Sequence, residues 1–318
     1  MQKLKLVFAG TPNIAVDILD ALVHSNKYEI QLVLTKPDAV SGRGKKLQLS
    51  DVAMYAKNQN ILTIKPKSLK NNLETIEYLN SLKPDIIIVV AYGLIIPKVI
   101  LDIPTIACIN VHVSLLPKLR GAAPIEHAIL SGDKKTGITI MRMDEGLDTG
   151  DILLQQESEI LATDTTDTLK SRLTKIAIPL LFNYLQNFNH ITPCKQDHAK
   201  ATYAAKIEKH HAKINWNLNA DIIMRQILAY NPSPVAYSYL KLTDNSELLI
   251  KIWKAGHSDI VTNLPIGGIM VHNKQLLVSC AFNTTLVIEE LQVAGKNRCL
   301  AINFLNGYKN LSDAQFML

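Results

Sequence analysis

The sequence predicts a doubly wound α/β domain with a mostly parallel sheet, followed by a small β-barrel domain. Over the first 160 residues, short apolar runs alternate with amphipathic stretches, which is the pattern of a parallel sheet covered by helices. The run 86–90 (IIIVV) is apolar on both faces, as a central strand of such a sheet must be. Beyond about residue 190, strand-like runs follow one another with turns between them, which is typical of a small barrel or sandwich.

The elements of the first part each rest on a local pattern. Strands are predicted where Val, Ile and Leu cluster between turn residues, at 4–9, 30–35, 61–65, 85–91, 107–113 and 137–143. Helices are predicted where apolar residues recur at a helical period, at 13–24, 73–82, 122–130 and about 165–186. Thr11 and Pro12 are expected to cap the first helix and to fill its first turn.

The pattern changes near residue 190. Residues 190–205 are polar and have no clear period, which predicts a linker. A helix is predicted at 220–229, and strands are predicted at 236–242, 247–255, 266–271, 275–281 and 285–293. The predicted organisation is therefore a first domain at 1–189, a linker at 190–207 and a C-terminal domain at 208–318.

Composition excludes several classes of protein. Apolar residues make up 47% of the 318 residues and charged residues 19%, which excludes a disordered chain. A net charge of +6 permits a polyanionic partner without requiring one. The four cysteines lie far apart, which argues against a disulfide framework or a cysteine zinc site and favours a reducing, cytoplasmic compartment. We expect no signal peptide and no membrane span, because no apolar run approaches the roughly 20 residues that a span needs.

The ends of the predicted strands are the places to look for a ligand. In an open parallel sheet, ligands bind outside the carboxyl ends of the strands. Polar side chains crowd after the fifth and sixth strands, so we expect the site there. The first turn has a single glycine, Gly10, and lacks the G-x-G-x-x-G of a dinucleotide site.

A basic segment follows the second predicted strand. Residues 42–46 (GRGKK) resemble a phosphate loop, but Ala39 and Lys46 stand where the Walker pattern needs Gly and Ser or Thr. Two interpretations stay open. The segment is either a solvated basic loop or a mobile loop that closes over an acidic or polyanionic substrate.

The pair Asn110 and His112 carries the most chemistry. Residues i and i+2 of a strand point to the same side, so one amide and one imidazole are expected to face one cavity. An amide N–H can hold a developing oxyanion, and an imidazole can donate to it or pass a proton. Asp148 follows the next strand and is placed to orient His112. With no Ser or Cys nucleophile nearby, the set indicates direct acyl-type transfer; the alternative is a structural histidine beside an acidic turn.

Two longer stretches resemble a known family. Residues 110–125 (NVHVSLLPKLRGAAPI) resemble the signature of the 10-formyltetrahydrofolate-dependent formyltransferases. Residues 138–141 (ITIM) and 143–150 (MDEGLDTG) are similar to the second motif of that family. The opening 7–12 (VFAGTP), the basic segment 42–46, residues 203–207 (YAAKI), 214–216 (INW) and 304–307 (FLNG) are similar to the members that act on charged initiator tRNA. The resemblance covers essentially the whole chain.

The resemblance implies a Rossmann-like formyltransferase fold with an OB-like C-terminal domain that binds tRNA. It implies transfer of a formyl group from 10-formyltetrahydrofolate, as donor substrate, to the α-amine of methionine on initiator tRNA, with no metal. The residues that the resemblance assigns are Asn110, His112 and Asp148 for catalysis, Ser114, Leu115, Leu116 and Pro117 for the folate, and Arg43, Lys45, Lys46 and Lys206 for the tRNA. A monomer is the default expectation.

Two other functions stay open. One is a formyltransferase that acts on a small amine, such as a sugar nucleotide; the basic segment and the β-type C-terminal domain argue against it. The other is a protein that binds tRNA or folate without catalysis. The intact set of Asn110, His112 and Asp148 argues against that, because a binding protein has no need of it.

Overall fold

The computed structural model describes residues 3–41, 46–308, 311 and 313–318, with the backbone alone at residues 40, 41 and 46. The chain divides into two compact units. The first comprises Met1–Pro124, Lys135–Glu159 and Lys170–Ala205, and the second comprises Ile125–Lys134, Ile160–Leu169 and Lys206–Leu318. The domain boundaries predicted from the sequence stay predictions.

The first unit is built on a twisted sheet. The strands up to residue 205 are β1 (Leu4–Gly10), β2 (Tyr28–Leu34), β3 (Ala39–Ser41), β4 (Lys46–Gln48), β5 (Thr63–Ile64), β6 (Ile86–Val90), β7 (Ala107–His112), β8 (Arg120–Gly121), β9 (Lys135–Arg142), β10 (Ile152–Glu159) and β11 (Tyr203–Ala204). Seven of them form one sheet in the order β10-β9-β7-β6-β1-β2-β5. The five strands from β7 to β5 are parallel, and β9 is antiparallel to both of its neighbours. The mostly parallel sheet predicted from the sequence is confirmed.

Helices alternate with these strands along the chain. Up to residue 187 they are α1 (Asn13–His24), α2 (Asp51–Asn58), α3 (Leu73–Leu82), α4 (Lys98–Leu101), α5 (Pro124–Ser131) and α6 (Thr166–Asn187). The helix α1 begins without the predicted side-chain cap. Its N-cap is Pro12, while the Thr11 hydroxyl donates to the carbonyl oxygen of Tyr92 at 2.8 Å. Thr11 therefore ties the end of β1 to the segment that follows β6.

The centre of the sheet is fully buried, as its sequence requires. All five residues of β6 are buried, and β6 lies between β1 and β7. One face packs on a core that includes Val7, Leu34, Ile87 and Leu79. Because both faces are covered, the side chains of β6 can be apolar throughout. The sheet thus gives a rigid base to the strand ends, where the polar residues lie.

The second unit contains an antiparallel sheet that closes on itself. Its elements from residue 220 onward are α7 (Ala220–Ala229), β12 (Tyr237–Lys241), β13 (Glu247–Ser258), β14 (Ile269–His272), β15 (Gln275–Ser279), β16 (Thr285–Val293), β17 (Cys299–Leu300), α8 (Ala301–Gly307) and β18 (Gln315–Phe316). The strand order is β14-β15-β16-β13-β12-β18. An antiparallel bridge between Gly268 and Gln315 joins the two ends of that order. The small barrel predicted from the sequence is confirmed.

A single core fills this barrel. Trp216, Ile250, Leu286 and Phe316 are each at most 1% exposed. The Trp216 ring stacks on Phe316 at 4.9 Å between centroids, and its Nε1 donates to the Ser238 hydroxyl at 3.0 Å. A buried indole needs such a partner for its N–H, so this pair fixes the segment that leads into α7. Among the described helices, none has the length and apolarity that a membrane crossing requires.

Candidate active site

Strand β7 carries Asn110 and His112 to the edge of the sheet. His112 is its last residue, and the two side chains lie on the same side of the strand, as their spacing predicts. His112 is buried and Asn110 is half-buried. Both follow the run Ala107–Ile109, which pairs with β6 and is buried on the sheet. The apolar half of the strand therefore anchors the polar half.

Asp148 reaches the same place from the loop that follows β9. Its Oδ1 accepts from Asn110 Nδ2 at 3.3 Å, and its Oδ2 accepts from the backbone N–H of Gly121 at 2.8 Å. Its Oδ2 also lies 3.7 Å from His112 Nδ1, which is longer than a hydrogen bond but close enough to stabilise a protonated imidazole. The structure thus brings together the three residues that the sequence singled out.

The other ring nitrogen of His112 fixes its protonation pattern. Nε2 lies 3.0 Å from the carbonyl oxygen of Leu119. A carbonyl oxygen only accepts, so Nε2 must carry a hydrogen for this contact to form. In the neutral ring, Nδ1 is then the unprotonated nitrogen, and it faces the Asp148 carboxylate. The site can take up one proton at Nδ1 and hold the resulting charge.

The loop around Asp148 is held at several points. Asp144 Oδ1 accepts from the backbone N–H of Gly146 at 3.0 Å and from the Thr149 hydroxyl at 2.6 Å. Asp148 itself has a φ of 52°, in the left-handed region that aspartate tolerates better than most residues. Gln196 Nε2 donates to the carbonyl oxygens of Asp148 at 2.8 Å and Gly150 at 2.7 Å.

Gln196 is a residue that the sequence analysis did not single out. It lies in the polar segment 190–205, which was predicted as a linker and which runs along the first unit. Cys194 forms a bridge with Ile152, and β11 pairs in parallel with β8. No local pattern marks Gln196, because its partners are 46 and 48 residues away in the chain.

A cavity of about 480 Å³ opens beside the start of β7. Cys108 lines it and is two residues before Asn110, on the same side of the strand. The loop residues Met143, Asp144 and Glu145 line another wall, and Lys98 and Asp102 of the α4 region line a third. Burial raises the pKa of the Cys108 thiol to about 12, so this wall carries a neutral thiol. A volume of this size suits a small organic ligand.

The predicted folate residues form a buttressed turn. The Ser114 hydroxyl donates to the Lys118 carbonyl oxygen at 2.7 Å, and Leu116 is buried. The Gln155 side chain donates to the Leu116 carbonyl oxygen at 2.8 Å. The turn 114–119 thereby sets the direction of the Leu119 carbonyl that His112 contacts. The folate-binding role of Ser114, Leu115, Leu116 and Pro117 stays a prediction; none of the four lines the 480 Å³ cavity.

The predicted tRNA contacts belong to two segments of the sequence. Arg43 and Lys45 fall outside the described residues, and Lys46 is the first residue of β4, which pairs with β3 as an antiparallel hairpin. Lys206 is exposed and follows β11 by two residues. Among the described residues, no group of three His, Cys, Asp or Glu side chains is arranged to hold a metal ion. The roles of these lysines and of Arg43 stay predictions.

Comparison with protein families gives a match along most of the chain. Residues 3–185 match the model described as formyl transferase, and residues 206–309 match the model of the formyl transferase C-terminal domain. The chain belongs to the formyl transferase family. Formyl transfer is therefore its reaction class, and the resemblance seen in the sequence motifs is confirmed.

Full-length relatives of this formyltransferase carry a more specific name. A protein of Legionella pneumophila (strain Corby) is 40% identical over 320 residues, covering 100% of both chains. A protein of Coxiella burnetii (strain CbuK_Q154) is 43% identical over 307 residues, covering 96% of both chains. Both are named methionyl-tRNA formyltransferase.

Solved structures share the fold of this formyltransferase at lower identity. HypX from Aquifex aeolicus, in complex with tetrahydrofolic acid, has a TM-score of 0.63 and 15% identity over 96% of this chain; the formyltransferase spans about half the length of that protein (47%). An N-formyltransferase from Helicobacter canadensis, in complex with folinic acid and dTDP-3-aminofucose, has a TM-score of 0.63 and 22% identity over 90% of this chain and 98% of that one. At these identities the likeness concerns the fold.

Proposed function

We propose that this formyltransferase transfers the formyl group of 10-formyltetrahydrofolate to the α-amine of methionine on initiator tRNA. The observation that carries the proposal is the name shared by relatives that are 40–43% identical over the full length of the chain. Acceptor choice depends on the whole architecture, and these relatives match both units. The cytoplasmic location and the monomeric state stay predictions.

The reaction begins with the amine as nucleophile. A free α-amino group has a pKa of about 8, so a useful neutral fraction is present near pH 7. Its attack on the formyl carbon places negative charge on the formyl oxygen. One N–H of Asn110 Nδ2 is used by Asp148, and the second has no partner among the described residues. We assign that second N–H to the developing oxyanion.

The proton released by the attacking amine needs an acceptor. His112 offers Nδ1, because its Nε2–H is occupied by the Leu119 carbonyl oxygen. Proton uptake at Nδ1 produces an imidazolium 3.7 Å from the Asp148 carboxylate, which stabilises it. The charge on this imidazolium also lies beside the oxyanion site. Collapse of the tetrahedral intermediate returns the proton to the departing folate nitrogen.

The 480 Å³ cavity suits the donor. Cys108 lines it, and Asn110 follows two residues later on the same side of β7, so a ring system bound there would lie one strand step from the polar strand end. Its lining combines apolar side chains with charged ones, including Arg142, Asp144 and Glu145, as a flat heterocycle with several donors and acceptors requires.

A competition assay tests the proposal. One donor, 10-formyltetrahydrofolate with a labelled formyl group, is offered to charged initiator tRNA and to a dTDP-amino sugar in parallel. We expect label in the tRNA fraction and none in the sugar nucleotide. Efficient transfer to the sugar nucleotide, with none to tRNA, would replace the proposal by the small-amine alternative.

A further inference from the structure

Gln196 is buried in a segment whose neighbours are exposed. It is 6% exposed, while Cys194, Lys195, Asp197 and His198 are all exposed. Both the amide oxygen and the amide nitrogen of Gln196 form hydrogen bonds. Nε2 donates to the carbonyl oxygens of Asp148 and Gly150, and Oε1 accepts from the Arg120 guanidinium at 2.6 Å and 3.2 Å. Four hydrogen bonds therefore hold the Gln196 side chain against residues of the first unit that belong to the candidate site.

Arg120 connects Gln196 to the second half of the site. It is 2% exposed, so its guanidinium needs hydrogen-bond acceptors, and it contacts Oε1 of the buried Gln196 and Nδ1 of the exposed His198, the latter at 3.1 Å. Arg120 stands between Leu119, whose carbonyl contacts His112, and Gly121, whose N–H donates to Asp148. The Gln196 amide therefore joins the backbone that orients His112 to the loop that carries Asp148.

We propose that Gln196 is a positioning residue for formyl transfer, which holds the Asp148 peptide so that its carboxylate meets Asn110 and His112. The inference rests on the role proposed above for Asp148. Holding the carbonyl of a residue at a φ of 52° fixes its peptide plane and so the direction of its side chain. The contacts that depend on it, at 3.3 Å to Asn110 and 3.7 Å to His112, tolerate little displacement. A misplacement of about 1 Å can lower a rate roughly 100-fold.

The substitution Gln196→Glu separates positioning from simple structural support. The carboxylate keeps an acceptor for Arg120, so the buried charge stays paired and the fold is expected to persist. It removes both N–H donors and sets an oxygen against the carbonyls of Asp148 and Gly150. We expect the single-turnover rate of formyl transfer at saturating donor and tRNA to fall about 10- to 100-fold, with KM for both substrates nearly unchanged. A wild-type rate, or a loss confined to KM, would overturn the proposal.

A matched control is available in the second unit. Gln226 Nε2 also donates to two backbone carbonyls two residues apart, those of His211 at 3.0 Å and Lys213 at 3.1 Å. We expect Gln226→Glu to leave the single-turnover rate unchanged. If Gln196→Glu does not fold, Gln196→Asn keeps both polar groups on a stem shorter by one methylene, and it decides the question by the same rate and KM criteria.

A second comparison distinguishes this inference from the proposed function. In an Asp148→Asn background, Gln196→Glu should change the remaining rate less than about threefold. Gln196 acts by positioning the Asp148 carboxylate, and that carboxylate is already absent in this background. If Asp148→Asn alone keeps the wild-type rate, the proposed function of the site fails and the inference with it. If Asp148→Asn loses the rate while Gln196→Glu keeps it, only the role of Gln196 is refuted.

Discussion

Asn110 Nδ2 lies 3.3 Å from Asp148 Oδ1, although 38 residues separate the two in the chain. Asn110 comes from the buried strand β7. Asp148 comes from a loop that is held by hydrogen bonds between its own residues and by hydrogen bonds from Gln196. This hydrogen bond uses one N–H of the Asn110 side-chain amide and fixes the direction of its second N–H. The relationship between these two residues therefore sets where an oxyanion can be held, and the predictions below follow from it.

Gly121 should tolerate no side chain. Its φ is 115°, and a Cβ there would lie 2.7 Å from the Ala204 carbonyl oxygen. Gly121→Ala should destabilise the fold by about 1–3 kcal/mol and move the N–H that Asp148 accepts, so turnover should fall as well. Thermal unfolding and single-turnover assays check both effects.

Gly295 provides the control for that prediction. It has a φ of 79°, but nothing lies within 4 Å of an added Cβ. Gly295→Ala carries backbone strain without the close approach, so it should lose some stability and keep its turnover. Equal turnover in Gly121→Ala and Gly295→Ala would show that the close packing of β11 on Gly121 does not affect catalysis at the candidate site.

Cys108 should be slow to alkylate even though it lines a cavity. Burial raises its pKa to about 12, so the thiol stays protonated at pH 8, and the thiolate is the reactive form. Cys194 is exposed and should react much faster. Mass spectrometry after iodoacetamide treatment at pH 8 resolves the two sites. Labelling of Cys108 as fast as Cys194 would contradict the buried, neutral thiol.

The sequence predicts some elements of this fold well. The ranges of α1 and α3 were predicted to the residue, because their apolar spacing is regular. The helix α2 and the hairpin β3–β4 were not predicted. The helix α2 is short and has few large apolar residues, and the two strands of the hairpin flank residues 42–45 of the basic segment, which was predicted as a loop. Asn110 and His112 could be paired from strand spacing alone. Gln196 could not, since a contact across 48 residues leaves no local signal.

Arg43 should act on the acceptor and not on the donor. The guanidinium can bind a phosphate with two parallel hydrogen bonds, which a lysine cannot do. Arg43→Ala should weaken tRNA binding while leaving the folate affinity near that of the wild type. Titrations with each ligand measure the two. Equal losses would indicate that the segment only closes the active site.

Lys206 should contribute one phosphate contact. The chain has a net charge of only +6, so tRNA binding must depend on a local basic face, and each contact releases counterions. Lys206→Gln should weaken tRNA binding and reduce the slope of log K against log[salt] by about 0.7–0.9. Lys27→Gln, at an exposed position in the turn before β2, serves as the control and should leave the slope unchanged. Matching slopes for the two variants would remove Lys206 from the interface.

The rate of formyl transfer to methionyl initiator tRNA in a single turnover tests the central claim most directly. Loss of one oxyanion donor typically costs about 10²–10³ in rate. We therefore expect Asn110→Ala, His112→Ala and Asp148→Ala each to lower this rate by at least about 100-fold, with the far-ultraviolet circular dichroism of the folded protein retained. A wild-type rate in any one of the three folded variants would contradict the assignment of chemistry to this site.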